Sequence, residues 1–322
     1  DGTGASVTRQ FSRDATSYEA GEVIGGRYRI TGSLGKGGFG AVYAAEHLGT
    51  RQEVAVKMLT VDPEEADRKV TDRFHREAQI TAALSHPNTV RVFDVGQADG
   101  GPLYLVMEML RGPILEHVLR KLDEQERPMK VVQAIDVAVP ILRSLAEAHE
   151  AGLVHRDLKP ANILLAQVAG DEPLVKVLDF GLARTQDSSM TGEGHSMGTP
   201  AYMSPEQCRG DEVDPRSDLY AVGVLLFRCA TGRLPFEAPK PLALMYMHAN
   251  EPPPDPRTLR TPALPDGFAE IIIRALAKTK EERFDDALQM RDALMAQRAE
   301  AARYDDASES DSGDSTSANP TD

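Results

Sequence analysis

Cysteine and long hydrophobic runs are both scarce in this chain of 322 residues. Its two cysteines, Cys208 and Cys229, are too few for a disulfide framework, so a reducing cytoplasmic setting is the simplest interpretation. The longest apolar run, around 221–227, is far shorter than the ~20 residues that a membrane-spanning helix needs, and no secretory signal precedes it. We expect a cytoplasmic protein, and a membrane anchor outside the given residues stays an open alternative.

Positive charge is also in short supply. Lysine and arginine number 36 against 50 aspartates and glutamates, which gives a formal net charge of −14. Binding to nucleic-acid backbones or to anionic lipid surfaces requires clustered positive charge. The composition therefore argues against a nucleic-acid or membrane-surface partner, and any phosphate that the protein binds must be met by local groups.

The length and the remaining composition are those of a globular protein. Hydrophobic residues make up 41% of the chain, which is enough for a sizeable core. A chain of this length suggests two structural units, either as two domains or as one bilobal domain. Residues 1–22 and 301–322 are poor in apolar residues, and the second segment is acidic and rich in serine. We predict that both ends are flexible and that 23–300 is the folded part.

Two hydrophobic periods divide the folded part. In its first third, short β-branched runs predict strands at 28–31, 41–44, 53–57, 90–93 and 103–107. A period near 3.6 predicts a helix over 72–84. The same helical period recurs later, at 131–150, 217–231, 240–249, 266–277 and 284–300. We therefore expect an α+β protein in which a small β-rich unit with one helix precedes a larger helical unit.

A glycine-rich string follows the first predicted strand: Gly35-Lys36-Gly37-Gly38-Phe39-Gly40-Ala41-Val42. Glycines allow a polyphosphate to approach the backbone closely, because no Cβ intervenes. Alone the string is a weak signal, and a plain hairpin is an equally good interpretation. A dinucleotide-binding turn would lead from a strand into a helix, whereas β-branched runs flank this string on both sides. A strand–loop–strand flap fits better.

The second candidate feature is a pair formed by a lysine and a glutamate. Lys57 ends the strand predicted at 53–57, where an isolated lysine is usually exposed. Its place after the glycine string favours a phosphate contact instead. Glu77, in the helix predicted over 72–84, is positioned to pair with Lys57 and orient it. An ordinary solvated glutamate is the alternative for this residue.

Two further strings are far more specific. They are His155-Arg156-Asp157-Leu158-Lys159-Pro160-Ala161-Asn162 and Asp179-Phe180-Gly181. Phosphoryl transfer requires a carboxylate that positions a hydroxyl nucleophile, a cation beside it and oxygen ligands for hard Mg²⁺ ions. These residue types all occur here, in the necessary order.

Taken together, the strings resemble the signature set of the bacterial eukaryotic-like (Hanks-type) serine/threonine protein kinases, over about residues 27–298. The resemblance implies a bilobal protein-kinase-like fold, with an N-lobe at about 27–107, a hinge at 108–112 and a C-lobe at 113–300. It implies an ATP- and Mg²⁺-dependent enzyme that phosphorylates serine and threonine hydroxyls of protein substrates. A kinase-like scaffold that acts by binding, with little catalysis, is the alternative.

The same resemblance implies a role for individual residues. Asp157 would be the catalytic base and Lys159 would stabilise the γ-phosphoryl group, while Asn162 and Asp179 would hold Mg²⁺. Lys57, anchored by Glu77, would hold the α- and β-phosphates. The implied nucleotide-binding positions are Leu34, Gly35, Lys36, Gly37, Gly38, Phe39, Gly40, Val42, Ala55, Lys57, Met107, Glu108, Leu110 and Leu164. For the aliphatic members of this set, plain core packing is an equally good interpretation.

Arg156 resembles the arginine of kinases that are regulated by phosphorylation of the activation loop, because a buried guanidinium needs an anionic partner. Thr191 and Ser196 are the first candidate phosphosites, and an unmodified polar loop is the alternative for each. Thr199 matches the serine/threonine branch of the family. The resemblance thus implies autophosphorylation of the activation loop, and with it a transient self-association.

Three more residues resemble structural positions of the family. Glu206 and Arg283 match its buried ion pair beneath the substrate-binding surface. Asp218 matches the residue that braces the catalytic loop. We expect these roles to be structural rather than chemical.

Overall fold

The chain divides into two compact units. The computed structural model describes residues 18–37, 40–59, 68–98, 102–168, 170, 172–180 and 200–313. Among these, the first unit comprises 18–37, 40–59, 92–98 and 102–109, and the second comprises 68–91 and the described residues from 110 onward. The expected small β-rich unit and larger helical unit are both present, but the helix predicted over 72–84 belongs to the second unit and not to the first.

Six strands form one antiparallel sheet in the first unit. They are β1 (Val23–Ile24), β2 (Tyr28–Gly37), β3 (Gly40–His47), β4 (Glu53–Leu59), β5 (Val92–Gln97) and β6 (Leu103–Glu108), in the order β1-β2-β3-β4-β6-β5. One sheet face packs into an apolar core that includes Ile30, Tyr43, Val56 and Val106. The strand predicted at 90–93 begins two residues late, because the amide of Val90 donates instead to the carbonyl of residue 177.

Helices make up most of the second unit. They are α1 (Arg68–Ala83), α2 (Leu115–Glu124), α3 (Val131–Glu150), α4 (Pro205–Arg209), α5 (Pro215–Thr231), α6 (Pro241–Asn250), α7 (Asp266–Ala275) and α8 (Ala287–Gly313). A short hairpin of β7 (Ile163–Ala166) and β8 (Leu174–Val177) lies between α3 and α4 in the chain. None of the helices in the described part of the chain combines the length and the apolar character that crossing a bilayer requires.

Local signals fix the ends of the central helix α5. Asp214 accepts a hydrogen bond from the amide of Arg216, and Pro215 occupies the first helical position. Gly232, with φ of 73°, takes the left-handed conformation that ends the helix. Almost every residue between these ends is buried, so α5 forms the centre of the second unit's core.

The last helix corrects the predicted end of the folded part. α8 continues to Gly313, so the flexible segment predicted from residue 301 was placed too early. Ala301 and Asp305 are buried, and they lie four residues apart on one face of α8. The Asp305 carboxylate accepts hydrogen bonds from the amides of Val131 (3.0 Å) and Val132 (2.8 Å), in the first turn of α3. A residue that resembled part of an acidic tail therefore caps a distant helix.

Candidate active site

A carboxylate, an ammonium group and an amide meet in the loop that follows α3. Lys159 Nζ donates to Asp157 Oδ2 at 2.7 Å. Asn162 Nδ2 lies 3.3 Å from the same oxygen and donates to the Asp157 carbonyl at 2.8 Å. Because Asn162 uses its amide nitrogen for these contacts, its amide oxygen is the atom left to bind a cation. The structure thus brings together three of the predicted site residues.

Asp218 holds the backbone of this loop from within the core. It is buried in α5, and its carboxylate accepts hydrogen bonds from the amides of His155 (2.8 Å) and Arg156 (2.9 Å) and from His149 Nε2 (2.8 Å). Burial alone would raise the pKa of Asp218, but its hydrogen bonds and the nearby histidines hold it below the ordinary value. Arg156 has φ of 63°, a left-handed conformation that needs such support in a residue other than glycine. This is the geometry that bracing the loop requires.

His155 contributes to the site although its place in the string predicts no role for it. Its ring is fully buried, 4.9 Å from the ring of Phe180. Nε2 donates to the carbonyl of Leu178 at 2.9 Å, and Nδ1 accepts from the amide of Asp157 at 3.3 Å. His155 therefore ties the loop that carries Asp157 to the segment that carries Asp179 and Phe180.

The two predicted metal ligands are linked through the same segment. The amide of Leu178 donates to the carbonyl of Asn162 at 2.8 Å, and Asp179 follows with φ of 56°. An amide oxygen and a carboxylate are hard oxygen ligands of the kind that Mg²⁺ uses together with substrate phosphates. Among the described residues, no group of three or more His, Cys, Asp and Glu side chains forms a separate metal site. The donor set fits a hard cation bound together with a polyphosphate.

In the first unit, five predicted nucleotide-binding residues share one face of the sheet. The register pairs Gly35 with Val42, Val42 with Lys57, and Ala55 with Met107. Directly paired residues, and residues two apart along a strand, project from the same face. The opposite face carries the apolar core of this unit. Register and alternation thus place these five residues on the face of the sheet opposite the apolar core.

Two glycines of the glycine-rich string are explained differently: packing within the sheet requires a glycine at one position and not at the other. Gly40 has φ of 129°, and a Cβ there would come within 1.9 Å of the Met58 carbonyl oxygen, so the sheet itself demands glycine. A Cβ on Gly35 would meet nothing within 4 Å, and its φ is ordinary. The neighbouring Leu34 is 54% exposed. No packing within the described residues explains Gly35, whereas the approach of a ligand would.

The remaining predicted site residues are more widely distributed. Glu77 lies on α1 in the second unit and Lys57 in the first, so their pairing stays a prediction. Lys36 and Gly37 end β2, Glu108 ends β6, and Leu164 pairs with Lys176 in the β7–β8 hairpin. Leu110 belongs to the second unit. The predicted residues that lie outside the described part of the chain are Gly38, Phe39, Thr191, Ser196 and Thr199.

A buried ion pair joins α4 to the turn before α8. Arg283 Nη1 and Nη2 donate to the two carboxylate oxygens of Glu206, each at 2.8 Å, and the Ser217 hydroxyl also donates to Glu206. Burial would raise the pKa of Glu206, but the bonds from Arg283 and Ser217 hold it below the ordinary value. Both predicted partners thus lie in contact within the second unit.

Gln207 connects α4 with the catalytic loop, a contact that no sequence pattern predicts. Its Nε2 donates to the carbonyl of Arg156 at 2.7 Å. The Gln207 amide and Oε1 also form a capping box with Ser204 at the start of α4. A local helix cap and a long-range contact therefore use the same side chain. Only the capping box had a signal in the sequence, which is the Ser204-Pro205-Glu206-Gln207 spacing.

Comparison with known proteins gives the same result as the motifs. A family model described as "Protein kinase domain" matches residues 28–294. Serine/threonine-protein kinase pkn3 from Myxococcus xanthus is 38% identical over 298 residues, which cover 91% of this chain and 54% of that protein. Serine/threonine-protein kinase PksC from Streptomyces coelicolor is 42% identical over 283 residues, covering 85% and 50%. The chain spans about half the length of the curated relatives that it matches.

Solved structures show the same likeness. The Mycobacterium tuberculosis PknI kinase domain superposes with a TM-score of 0.68 at 26% sequence identity, covering 87% of this chain and 99% of that one. The predicted α+β, protein-kinase-like fold, with a β-rich N-lobe and a helical C-lobe, is thereby confirmed.

Proposed function

The chain belongs to the protein kinase domain family, and from that membership we propose that it transfers the γ-phosphoryl group of ATP to serine and threonine hydroxyls of proteins. Members of this family use ATP and typically a divalent metal. The observation that carries the proposal is the contact of Asp157 with both Lys159 and Asn162 in a single loop. In this contact, the carboxylate proposed as the base lies next to a cation and next to an amide that can bind a metal ion.

Asp157 and Lys159 have complementary roles in this proposal. The Asp157 carboxylate orients the acceptor hydroxyl and accepts its proton as the oxygen attacks. Lys159, whose ammonium lies 2.7 Å from that carboxylate, would stabilise the negative charge that develops on the transferred phosphoryl group. Since the backbone around Asp157 is held by Asp218 and His155, little reorganisation is needed during the reaction.

We assign Asn162 and Asp179 as the residues that would hold Mg²⁺. The support is the amide oxygen that Asn162 leaves free of its contacts with Asp157, and the backbone link from Asn162 to the residue before Asp179. When bound, the cation neutralises charge on the β- and γ-phosphate oxygens. The protein's part is to fix the two oxygen ligands relative to Asp157.

We assign the nucleotide to the sheet face opposite the apolar core and to its neighbours. Gly35 and Lys57 would contact the phosphates, and Val42, Ala55 and Met107 would contact the base. The shared sheet face and the unexplained Gly35 support this assignment. The other predicted nucleotide-binding positions, and the Lys57–Glu77 pair, belong to the same proposal.

Regulation by loop phosphorylation is a separate part of the proposal. Arg156 is anchored through its amide by Asp218 and through its carbonyl by Gln207. An arginine fixed in this way next to the catalytic base is suited to receive a phosphate. Mapping of phosphosites after incubation with ATP tests this idea, and an active enzyme without any phosphate in 181–199 would contradict it.

Phosphate transfer from labelled ATP to the protein itself and to a generic acceptor protein tests the main proposal. We expect Asp157→Asn to lower the transfer rate about 10³-fold, because a positioned general base contributes on this scale. Its thermal unfolding should match that of the wild type, since Asp157 is partly exposed. Equal incorporation by the two proteins would reject the assignment and favour a kinase-like scaffold that acts by binding.

A further inference from the structure

The turn between α7 and α8, residues 277–283, carries three cationic side chains that contact three different segments. Lys278 reaches the C-terminal end of α6, Lys280 reaches the segment just before α5, and Arg283 reaches α4. We call this segment the cation turn. Two of its three cations thus hold α6 and α4.

Lys278 closes the end of α6. Its Nζ donates to the carbonyls of His248 (2.8 Å) and Met247 (3.3 Å), which lie in the last turn of the helix. Carbonyls in this turn are short of helical partners, and a cation there also interacts favourably with the helix dipole. The ammonium lies 4.4 Å from the centre of the Phe236 ring and 5.8 Å from that of Tyr220. These contacts fix the Lys278 side chain in one place.

The inner face of α6 supports the segment that precedes α4. Leu244 forms a small buried cluster with Ala201 and Phe236. His248, fully buried, receives a hydrogen bond at Nδ1 from the Tyr220 hydroxyl or donates one to it, at 2.9 Å. The Arg209 guanidinium, at the end of α4, donates to the carbonyl of residue 249. Residues 200–209 therefore contact α6 at two places, at Leu244 and, through Arg209, in the last turn that Lys278 holds.

We propose that Lys278 is a positioning residue for the protein acceptor. By fixing the end of α6 it fixes 200–209, which begins directly after Thr199 and is joined to the catalytic loop by Gln207. This inference rests on the proposed function, because it concerns the acceptor of that reaction. Within the described part of the chain the contacts of Lys278 go to the end of α6, Phe236 and Tyr220, and not to the residues assigned to ATP or metal, so we expect the KM for the acceptor to change more than the KM for ATP.

Steady-state kinetics of three variants test the proposal. We expect Lys278→Met to raise the KM for the acceptor about tenfold, equivalent to about 1.4 kcal/mol, with less than a twofold change in the KM for ATP. Lys278→Arg should recover most of the loss, because a guanidinium can donate to the same carbonyls. Lys280→Met is the matched control: it removes a cation from the same turn, but its contacts go to Asp214 and the carbonyl of Glu212.

Hydrogen–deuterium exchange of the same proteins, without nucleotide or acceptor, gives a readout that does not depend on activity. Lys278→Met should speed exchange both at 244–250 and at 200–209, and Lys280→Met should do so at neither. An unchanged acceptor KM in active Lys278→Met, or faster exchange at 244–250 alone, would overturn the inference. If the wild type transfers no phosphate, the proposed function fails, and the exchange pattern still decides whether Lys278 couples α6 to 200–209.

Discussion

Two ion pairs of nearly equal length lie in the second unit. Arg283 and Glu206 are separated by 2.8 Å, and Lys159 and Asp157 by 2.7 Å. The side chains of the first pair are 0% and 4% exposed, and those of the second are 26% and 20% exposed. Distance does not distinguish the pairs, but their access to solvent does.

The difference in burial corresponds to a difference in role: the buried pair stabilises the fold, and the accessible pair belongs to the candidate active site. Glu206 is fully engaged by Arg283 and Ser217, and Arg283 also donates to the carbonyls of Ala277 and Arg216. If the contact between Arg283 and Glu206 breaks, a charge stays buried without its counter-charge. Lys159 and Asp157 are instead reachable from solvent, while the loop behind them is fixed by Asp218. Groups that exchange partners during a reaction need that combination of an accessible side chain and a fixed backbone.

Removing one partner of the buried pair should have the largest effect on stability. Arg283→Met leaves the Glu206 carboxylate in the core without its counter-charge, and we expect a loss of about 3–5 kcal/mol in the free energy of unfolding. Urea denaturation followed by circular dichroism measures it. The double variant Glu206→Gln/Arg283→Met should recover part of the loss, because no charge is then left buried. A single-variant loss below about 1 kcal/mol would contradict the role given to burial.

A smaller effect is expected at Asp305, whose buried carboxylate accepts from a helix end at short distance and lies 4.0 Å from the Arg260 guanidinium. Asp305→Ala removes the oxygens that receive the first amides of α3, and the loss should be about 1–2 kcal/mol in the same denaturation experiment. Asp306→Ala is the matched control, since Asp306 is the next residue of α8 and is exposed. Equal losses from the two variants would mean that the cap is not what Asp305 contributes.

Asp305 also shows where prediction from the sequence stops. Hydrophobic period alone locates α3 at 131–150 and most of α5, α6 and α7, because these helices bury a face whose spacing is visible locally. The period fails at 301–313, where the residues are mostly small, polar or acidic. Burial of Asp305 depends on the amides of Val131 and Val132, 174 and 173 positions away. Composition of the segment carries no information about that partner.

In the candidate site, too, the sequence predicts some of the residues and not others. The strings around Asp157 and Asp179 predict which groups do the chemistry, because phosphoryl transfer restricts the residue types and their order. The side chains that hold those groups have no such restriction. His149 and Gln207 act through single contacts with Asp218 and with the carbonyl of Arg156, across 69 and 51 positions of sequence. Their roles follow only from the packing of α3, α4 and α5.

The smallest effect is expected from a pair that also has two hydrogen bonds between guanidinium and carboxylate, but is not buried. Arg298 donates from Nε and Nη2 to the two oxygens of Asp136, at 2.7 and 2.9 Å, yet the side chains are 48% and 47% exposed. Water competes for both charges, so Arg298→Ala should cost no more than about 1 kcal/mol, and the loss should shrink further in 0.5 M salt. This pair joins α8 to α3, as Asp305 does, so the two variants probe the same junction. An Arg298 variant that costs as much as the Arg283 variant would show that two-point geometry, and not burial, sets the contribution of these pairs.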